Sequence, residues 1–188
     1  NKEIKAKKKM SYFKDWWYQK FKVLGELSYN HSDKITTLYN GNKKKQIQLG
    51  AEEKRIEIIP NGINYKKLQY EEDDPNRNLY KKPDDTFIIG LVGRVVPIKD
   101  IKTFIKSIAY ISKKIPNIEV LIMGPTDEDE EYFEECKTLI KLLDLKNFIK
   151  FTGKVNLKYY YEHLDIIVLS SISEGQPLVL LEAFAFGI

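Results

Sequence analysis

Apolar residues along this chain recur in two periods, that of helices and that of buried strands, and the order in which the two alternate predicts the fold. From Tyr12 to about Tyr29 the apolar positions follow helical spacing, with Trp17, Phe21, Leu24 and Ser28 on one side, which predicts an amphipathic helix. Lys34 to Tyr39 is a short β-rich run. Asn40-Gly41-Asn42 then opens a polar helix that ends at Leu49-Gly50, where glycine suits a left-handed cap. Ile56 to Ile59 is a further strand, closed by Pro60-Asn61-Gly62.

Between Tyr65 and Asp85 the chain turns polar and acidic, with Glu71-Glu72-Asp73-Asp74-Pro75-Asn76 and Lys81-Lys82-Pro83-Asp84-Asp85, which is linker chemistry. Beyond it, Phe87 to Val92 is almost continuously apolar, as in strands buried on both faces of a parallel sheet. A helix from Asp100 to about Lys114, a strand Ile118 to Met123 and a helix Glu130 to Leu143 follow. Strand Ile149 to Thr152, a short helix Leu157 to Glu162, strand Asp165 to Leu169 and an apolar helix Pro177 to Phe186 complete the series. Strands and helices alternating at this spacing predict an α/β fold with a doubly wound parallel sheet. The expected organisation is a first domain over 1–64, a linker over 65–85 and a second domain over 86–188.

Composition narrows the class. With 188 residues, 43% hydrophobic and 31% charged, the chain belongs with globular proteins, and no apolar run nears the roughly 18 residues of a spanning helix. The single Cys136 cannot form an internal disulfide, and His31 and His163 are the only histidines, which leaves no set of ligands for structural zinc. A reducing, cytoplasmic location is expected. Because the chain begins on Asn1 and stops at Gly187-Ile188, just after an apolar helical pattern, it reads as a piece of something longer.

The net charge of +4 conceals an asymmetry: residues 1–48 carry 12 lysines against 4 acids, and residues 49–188 carry 19 Lys or Arg against 23 acids. The basic, aromatic opening Tyr12-Phe13-Lys14-Asp15-Trp16-Trp17-Tyr18 suits an anionic membrane surface or nucleic acid. The commoner fate of such a stretch is a solvated lysine face whose aromatics pack on a partner segment.

In a doubly wound sheet, ligands bind at the carboxyl ends of the strands near the point where strand order reverses, so the chemistry is sought in the loops there. In Ser170 to Pro177, Glu174 lies in the loop, Gly175 permits close backbone approach and Pro177 suits the first turn of the next helix. The free amides of that helix start attract an anion, while Glu174 and Glu182 are placed to accept hydrogen bonds from sugar hydroxyls. Taken singly, each glutamate has a plainer account, Glu174 as a helix cap and Glu182 as a lysine's partner. Gly93-Arg94 to Lys99 adds two cations suited to neutralising a diphosphate without metal. A surface cation beside a helix start is a simpler account of Lys99 than of Arg94, which follows a buried strand.

These residues carry a resemblance. Gly93-Arg94 with Lys99, Ser171-x-x-Glu174, and Glu174-x7-Glu182 in Glu-Gly-Gln-Pro-Leu-Val-Leu-Leu-Glu-Ala resemble the nucleotide-sugar domain of the family 4 retaining glycosyltransferases of the GT-B fold. The strings Gly-Arg-Val-Val-Pro-Ile-Lys-Asp, Gly-Pro-Thr-Asp-Glu-Asp, Leu38-Tyr39-Asn40-Gly41-Asn42 and Ile59-Pro60-Asn61-Gly62-Ile63 look like the subgroup that builds the Pel exopolysaccharide.

The resemblance implies a Rossmann-like donor domain, incomplete here, preceded by the last part of a similar acceptor-side domain. It implies that Gly93, Arg94 and Lys99 hold the donor diphosphate, that Glu174 contacts the donor sugar without acting as a nucleophile, and that Glu182 binds the ribose. Backbone amides from Gly175 and Gln176 through Pro177, Leu178 and Val179 would meet a phosphate, Lys154 and Val155 would lie near the base, Gly124 near the nucleotide, and Ser171 beside the donor. Catalysis would fall to Glu174, Arg94 and Lys99, with a UDP-linked hexose as donor, a growing saccharide as acceptor and no cofactor or metal. Asp127-Glu128-Asp129 fits a metal-holding Asp-x-Asp pattern, but acids in a first helical turn account for it. Peripheral contact with a membrane polysaccharide-export complex is the role implied for the basic opening, and nucleic acid is disfavoured. The competing readings are another family 4 transferase making a different glycan, and a non-catalytic nucleotide-binding docking module. His31 and His163 match no catalytic position and are expected to pack or lie at the surface.

Overall fold

A strand that is apolar at every position needs a helical layer on each side, and the second half of the chain supplies both. The computed structural model describes residues 17, 19–68 and 80–188, which fall in two units, Asn1–Asn61 and Gly62–Ile188. The lysine run before Met10, the aromatic stretch from Tyr12 to Trp16 and the acidic run Glu71 to Asn76 lie outside the described residues.

In the first unit, helix α1 (residues 19–30) leads to strand β1 (Ile35–Thr37), helix α2 (Asn40–Gln48) and strand β2 (Ile56–Ile58). The two strands pair in parallel, Ile35 opposite Ile56 and Thr37 opposite Ile58. Ile35, Ala51 and Ile56 bury themselves with Tyr29 into a small core. Gly50 closes α2 at φ +97°, the positive value expected of glycine at that end. His31 Nδ1 lies 2.8 Å from the Leu27 carbonyl, a local contact at the end of α1. The apolar face predicted for α1 is exposed at Trp17, Phe21 and Leu24.

The second unit holds a four-stranded parallel sheet of strands β3 (Phe87–Val92), β4 (Ile118–Met123), β5 (Ile149–Gly153) and β6 (Ile166–Ile167), in the order β5-β4-β3-β6. Its helices are α3 (Tyr65–Leu68), α4 (Ile101–Ile111), α5 (Glu130–Leu142), α6 (Lys158–Tyr161) and α7 (Leu178–Ala185). Alternate residues of β3 and β4 point to opposite layers. Ile89, Leu91, Val120 and Ile122 meet Ile101, Phe104, Ile105 and Ile108 of α4 and Tyr132, Cys136 and Ile140 of α5. Ile88, Val92, Leu121 and Met123 meet Tyr161, Leu164 and Ala183 on the other side. The α4 stripe has spacing i, i+3, i+4, i+7, and each such side chain contributes about 1.5–3 kcal/mol on full burial.

Helix α4 starts at Asp100, which accepts from the Thr103 N–H at 3.4 Å, and α5 starts at Asp129, which accepts from the Tyr132 N–H at 2.9 Å. Strand β6 is shorter than the Asp165 to Leu169 expected, although Asp165 N–H and Val168 N–H still donate to the Ile88 and Gly90 carbonyls at 3.0 and 2.8 Å. The Asp165 side chain explains the late start of the strand: its carboxylate accepts from the Ile88 N–H at 2.7 Å and from Lys82. Burial pushes that carboxyl up, but the Ile88 amide and the Lys82 ammonium outweigh it and hold the group below its usual range. In the stretch read as a linker, Tyr65–Leu68 forms α3 against α7, and Tyr80 stacks on Tyr160 at 5.2 Å.

The carboxyl ends of β3, β4 and β5 are laced together. Gly93 N–H donates to the Met123 carbonyl at 2.9 Å, Val95 N–H to Pro125 at 2.9 Å, and Gly124 N–H to Gly153 at 2.9 Å. This lacing leaves no room at Gly124, where φ is +152° and a Cβ would sit 2.1 Å from the Gly93 carbonyl oxygen. Gly124→Ala is expected to lower stability by about 2–3 kcal/mol, because the obstacle is backbone that cannot step aside. Gly62→Ala, which meets nothing within 4 Å, should stay within about 0.5 kcal/mol. Urea unfolding of the two variants and the unaltered chain checks both.

Candidate functional site

The chain steps outward from β3 to β4 to β5 and then returns to the far side of β3 for β6, so strand order reverses between β3 and β6. The loops that leave these two strands, residues 93–100 and 170–177, therefore face each other across the crevice where ligands of open α/β sheets bind. They are tied at the backbone: Ile172 N–H donates to the Ile98 carbonyl at 2.9 Å, and the Ser170 hydroxyl donates to the Lys99 carbonyl at 2.8 Å.

Within that frame the Lys99 ammonium donates to Glu174 Oε1 at 2.5 Å, with only 18% and 24% of the two side chains exposed. Lys99 holds the Glu174 carboxyl below its ordinary value; burial opposes the shift, and the Ser171 hydroxyl and the Arg94 charge add to it. Arg94, Lys99, Ser171 and Glu174, far apart in sequence, are thus one electrostatic cluster.

The exposure of the two cations reverses the plainer account, in which a surface position suited Lys99 better than Arg94. Arg94 is 55% exposed and pairs with Glu128 at 2.8 Å, whereas Lys99 is the partly buried one. The short turn Pro97–Lys99 is the reason, since it swings Lys99 back over the crevice, while Arg94 projects from the first residues after β3 toward the loop after β4. Glu128 gives the Asp127-Glu128-Asp129 pattern a different meaning, because Asp129 caps α5 and Glu128 holds Arg94.

Beside Arg94 a cavity of about 240 Å³ is lined by Gly93, Arg94, Met123, Gly124, Pro125, Lys154, Val155 and Leu157. It brings together Gly93, Gly124, Lys154 and Val155, which the sequence distributes over three loops. A register shift where Met123 pairs with Gly153 carries the Lys154 loop to this position. A larger hollow, about 320 Å³, lies between α4 and β6 among Phe104, Ile108, Ile111, Ile166 and Val168. It contains no charged side chain and is not built to hold an anion.

On the other side of the cluster, Gly175 and Gln176 lead into α7; Pro177 is its N-cap rather than part of its first turn, and the proline side chain offers the helix no hydrogen bond. The first amides of a helix, here those of Leu178 and Val179, have no acceptor inside it. Glu182 stands one turn further along α7, where its Oε2 accepts from the Tyr161 hydroxyl at 2.6 Å, not from the lysine that its surface account required. Tyr161 and Glu128 are the participants that sequence reasoning missed. A signal for Tyr161 exists in the run Tyr159-Tyr160-Tyr161, since three successive tyrosines on one helical turn send at least one hydroxyl inward. For Glu128 there is no signal beyond its loop. His163 has a packing role, edge-on to Tyr80 at 5.4 Å between centroids.

Residues 72–188 match the family described as "Glycosyl transferases group 1", and residues 1–54 match a domain of unknown function (DUF3492). An uncharacterised glycosyltransferase of Methanocaldococcus jannaschii is 27% identical over 183 residues, covering 94% of this chain and 43% of the relative. The UDP-Gal:alpha-D-GlcNAc-diphosphoundecaprenol alpha-1,3-galactosyltransferase of Escherichia coli is 27% identical over 162 residues, 82% of this chain and 41% of the relative. The capsular polysaccharide biosynthesis glycosyltransferase CapM of Staphylococcus aureus is 29% identical over 139 residues, 72% of this chain and 36% of the relative. Among solved structures, Anabaena HepE in complex with UDP and glucose superposes with a TM-score of 0.74 at 20% identity, over 88% of this chain and 45% of that one. Sucrose-phosphate synthase from Thermosynechococcus elongatus gives 0.71 at 25% identity, over 88% and 41%. The chain thus spans less than half the length of these relatives. With the larger part of its residues matched by the family and its sheet carrying the Rossmann-like layout of GT-B structures, the chain belongs to the group 1 glycosyltransferases.

Proposed function

We propose that the crevice between β3 and β6 holds the donor of a glycosyl transfer, a hexose linked to UDP, and that the whole protein delivers the hexose with retention, without metal, to a growing exopolysaccharide of the Pel type. The observation that carries the reading is the gathering of Lys99, Arg94 and Glu174 in the loops that lead to the start of α7: two cations and a helix amino end for a diphosphate, and a carboxylate for sugar hydroxyls. In this reading Lys99 and Arg94 stabilise the diphosphate as it leaves, Glu174 orients the sugar, and Glu182 takes the ribose. The cavity among Arg94, Gly124, Lys154 and Val155 receives the base end of the nucleotide. The names of the relatives support a sugar nucleotide and a polysaccharide product, since HepE was solved with UDP-glucose and CapM is named for capsular polysaccharide. No helix among the described residues is long and apolar enough to cross a membrane, and the basic, aromatic opening is what supports peripheral contact with a membrane export machinery.

Calorimetric titration with UDP, UDP-glucose, UDP-N-acetylhexosamines and ADP, with and without EDTA, tests the donor site. UDP binding that survives EDTA and weakens about 10- to 100-fold in Arg94→Ala and in Glu182→Ala is expected, the range for losing hydrogen bonds to a charged group. UDP binding that both variants retain overturns the assignment.

The closed Lys99 to Glu174 pair generates two further predictions. A diphosphate must displace Glu174 from Lys99, so Glu174→Gln should tighten binding of inorganic pyrophosphate by roughly two- to fivefold. Because the folded carboxyl titrates below its ordinary 4.5, the stability from the pair is complete above that value and is lost as pH falls through the lower folded one. Urea midpoints measured from about pH 6 to pH 3 should therefore fall less steeply on acidification in Glu174→Gln than in the unaltered chain.

A further inference from the structure

Tyr161 is wholly buried, packed against Leu164 and Ala183 beneath the sheet, with its ring stacked on Phe186 at 5.2 Å between centroids. Phenylalanine would fill the same volume. What the tyrosine adds is a hydroxyl, and at that depth a hydroxyl without a partner is destabilising. Its partner is the Glu182 carboxylate at 2.6 Å, the length of a charge-assisted O–H···O⁻ bond. The bond joins α6 to α7 and ends on the one acidic side chain that α7 carries. A carboxylate offers about four lone-pair sites on two oxygens, so a single phenol fixes the half-buried side chain and does not use up its acceptor capacity. Glutamate otherwise gives up considerable rotamer freedom when it is ordered by a ligand.

We propose that Tyr161 is a positioning residue: its hydroxyl holds the Glu182 carboxylate in place for the ribose hydroxyls of the nucleotide, so that the ordering cost is met in the fold rather than on binding. The role rests on the donor-site reading, and it belongs to the nucleoside end of the ligand alone. Lys99, Arg94 and the start of α7 serve the phosphates whether or not Tyr161 has its hydroxyl.

UDP and inorganic pyrophosphate are titrated into the unaltered chain, Tyr161→Phe, Glu182→Gln and the double variant, with thermal unfolding followed for each. Tyr161→Phe keeps the ring and its stacking on Phe186. It should weaken UDP about tenfold, leave pyrophosphate within about twofold, and cost less than about twofold once Glu182→Gln is present. Equal weakening of UDP and pyrophosphate, effects that multiply independently in the double variant, or UDP affinity lost in Glu182→Gln but kept in Tyr161→Phe would each overturn the positioning role and leave the donor site standing. No UDP binding by the unaltered chain, or UDP affinity indifferent to Glu182→Gln, would overturn the donor reading and the positioning role together.

Discussion

All four strands of the larger sheet run in the same direction, and this constraint delivers every loop after a strand to one edge. Reversal of strand order at β3 then selects two of those loops to face each other. The partly buried ion pair of Lys99 and Glu174 exists because residues 75 positions apart are carried to the same crevice by strands that are hydrogen-bonded neighbours. Lacing of the β3, β4 and β5 ends through Gly93, Gly124 and Gly153 fixes the neighbouring wall, so that the cavity at Lys154 and the cation at Arg94 share one rigid rim. Where backbone approaches backbone this closely, the choice of glycine at 124 is dictated by contact distance rather than by turn preference.

Two acids hold the two cations of this site: Glu174 on Lys99 and Glu128 on Arg94. Partly buried pairs of this sort contribute little net stability, because desolvation consumes much of the Coulombic gain. That balance suits a binding site. In the proposed donor site, an incoming diphosphate would exchange one anion for another at Lys99, so the protein would not desolvate a new charge to receive it, and the carboxylate released would be left beside the neighbouring sugar. At Arg94 the more exposed pair is weaker and more easily exchanged. The sequence pattern shows the cations and the glutamates but not that they neutralise one another, since pairing across a crevice depends on rotamers and on a turn such as Pro97–Lys99.

Legibility in the sequence followed the length and periodicity of each segment. The six-residue strands β3 and β4 and the helices α4 and α5 are readable because both faces of the strands and one stripe of each helix are buried, so apolar spacing records their surroundings directly. Strand β6 is two residues long, and its limit is set by a side-chain to backbone bond from Asp165, which no periodicity encodes. The α3 turn hides in a polar stretch because four residues are too few to show a helical period. At the site, the glycines, Arg94, Lys99, Glu174 and Glu182 are legible as residue types in suggestive loops. Tyr161 is marked only as one of three successive tyrosines, and its chemistry appears only when its hydroxyl is followed into the core.

Helix α7 shows how packing and recognition are joined in one element. Its amino end offers amides, its second turn offers Glu182, and its third offers Phe186 just beyond the last helical residue. Tyr161 touches two of these, stacking on Phe186 and donating to Glu182, so the same side chain that fixes the helix against the sheet also fixes its carboxylate. The separation between the helix start and Glu182 is therefore a rigid length of about 6 Å, four residues at the α-helical rise. A ligand whose anionic and hydroxyl-bearing groups match that length meets both without any part of the helix having to move, whereas one that lacks the hydroxyls uses the amides alone. In the proposed donor site, discrimination would thus be set by the fold of the core as much as by the residues that touch the ligand.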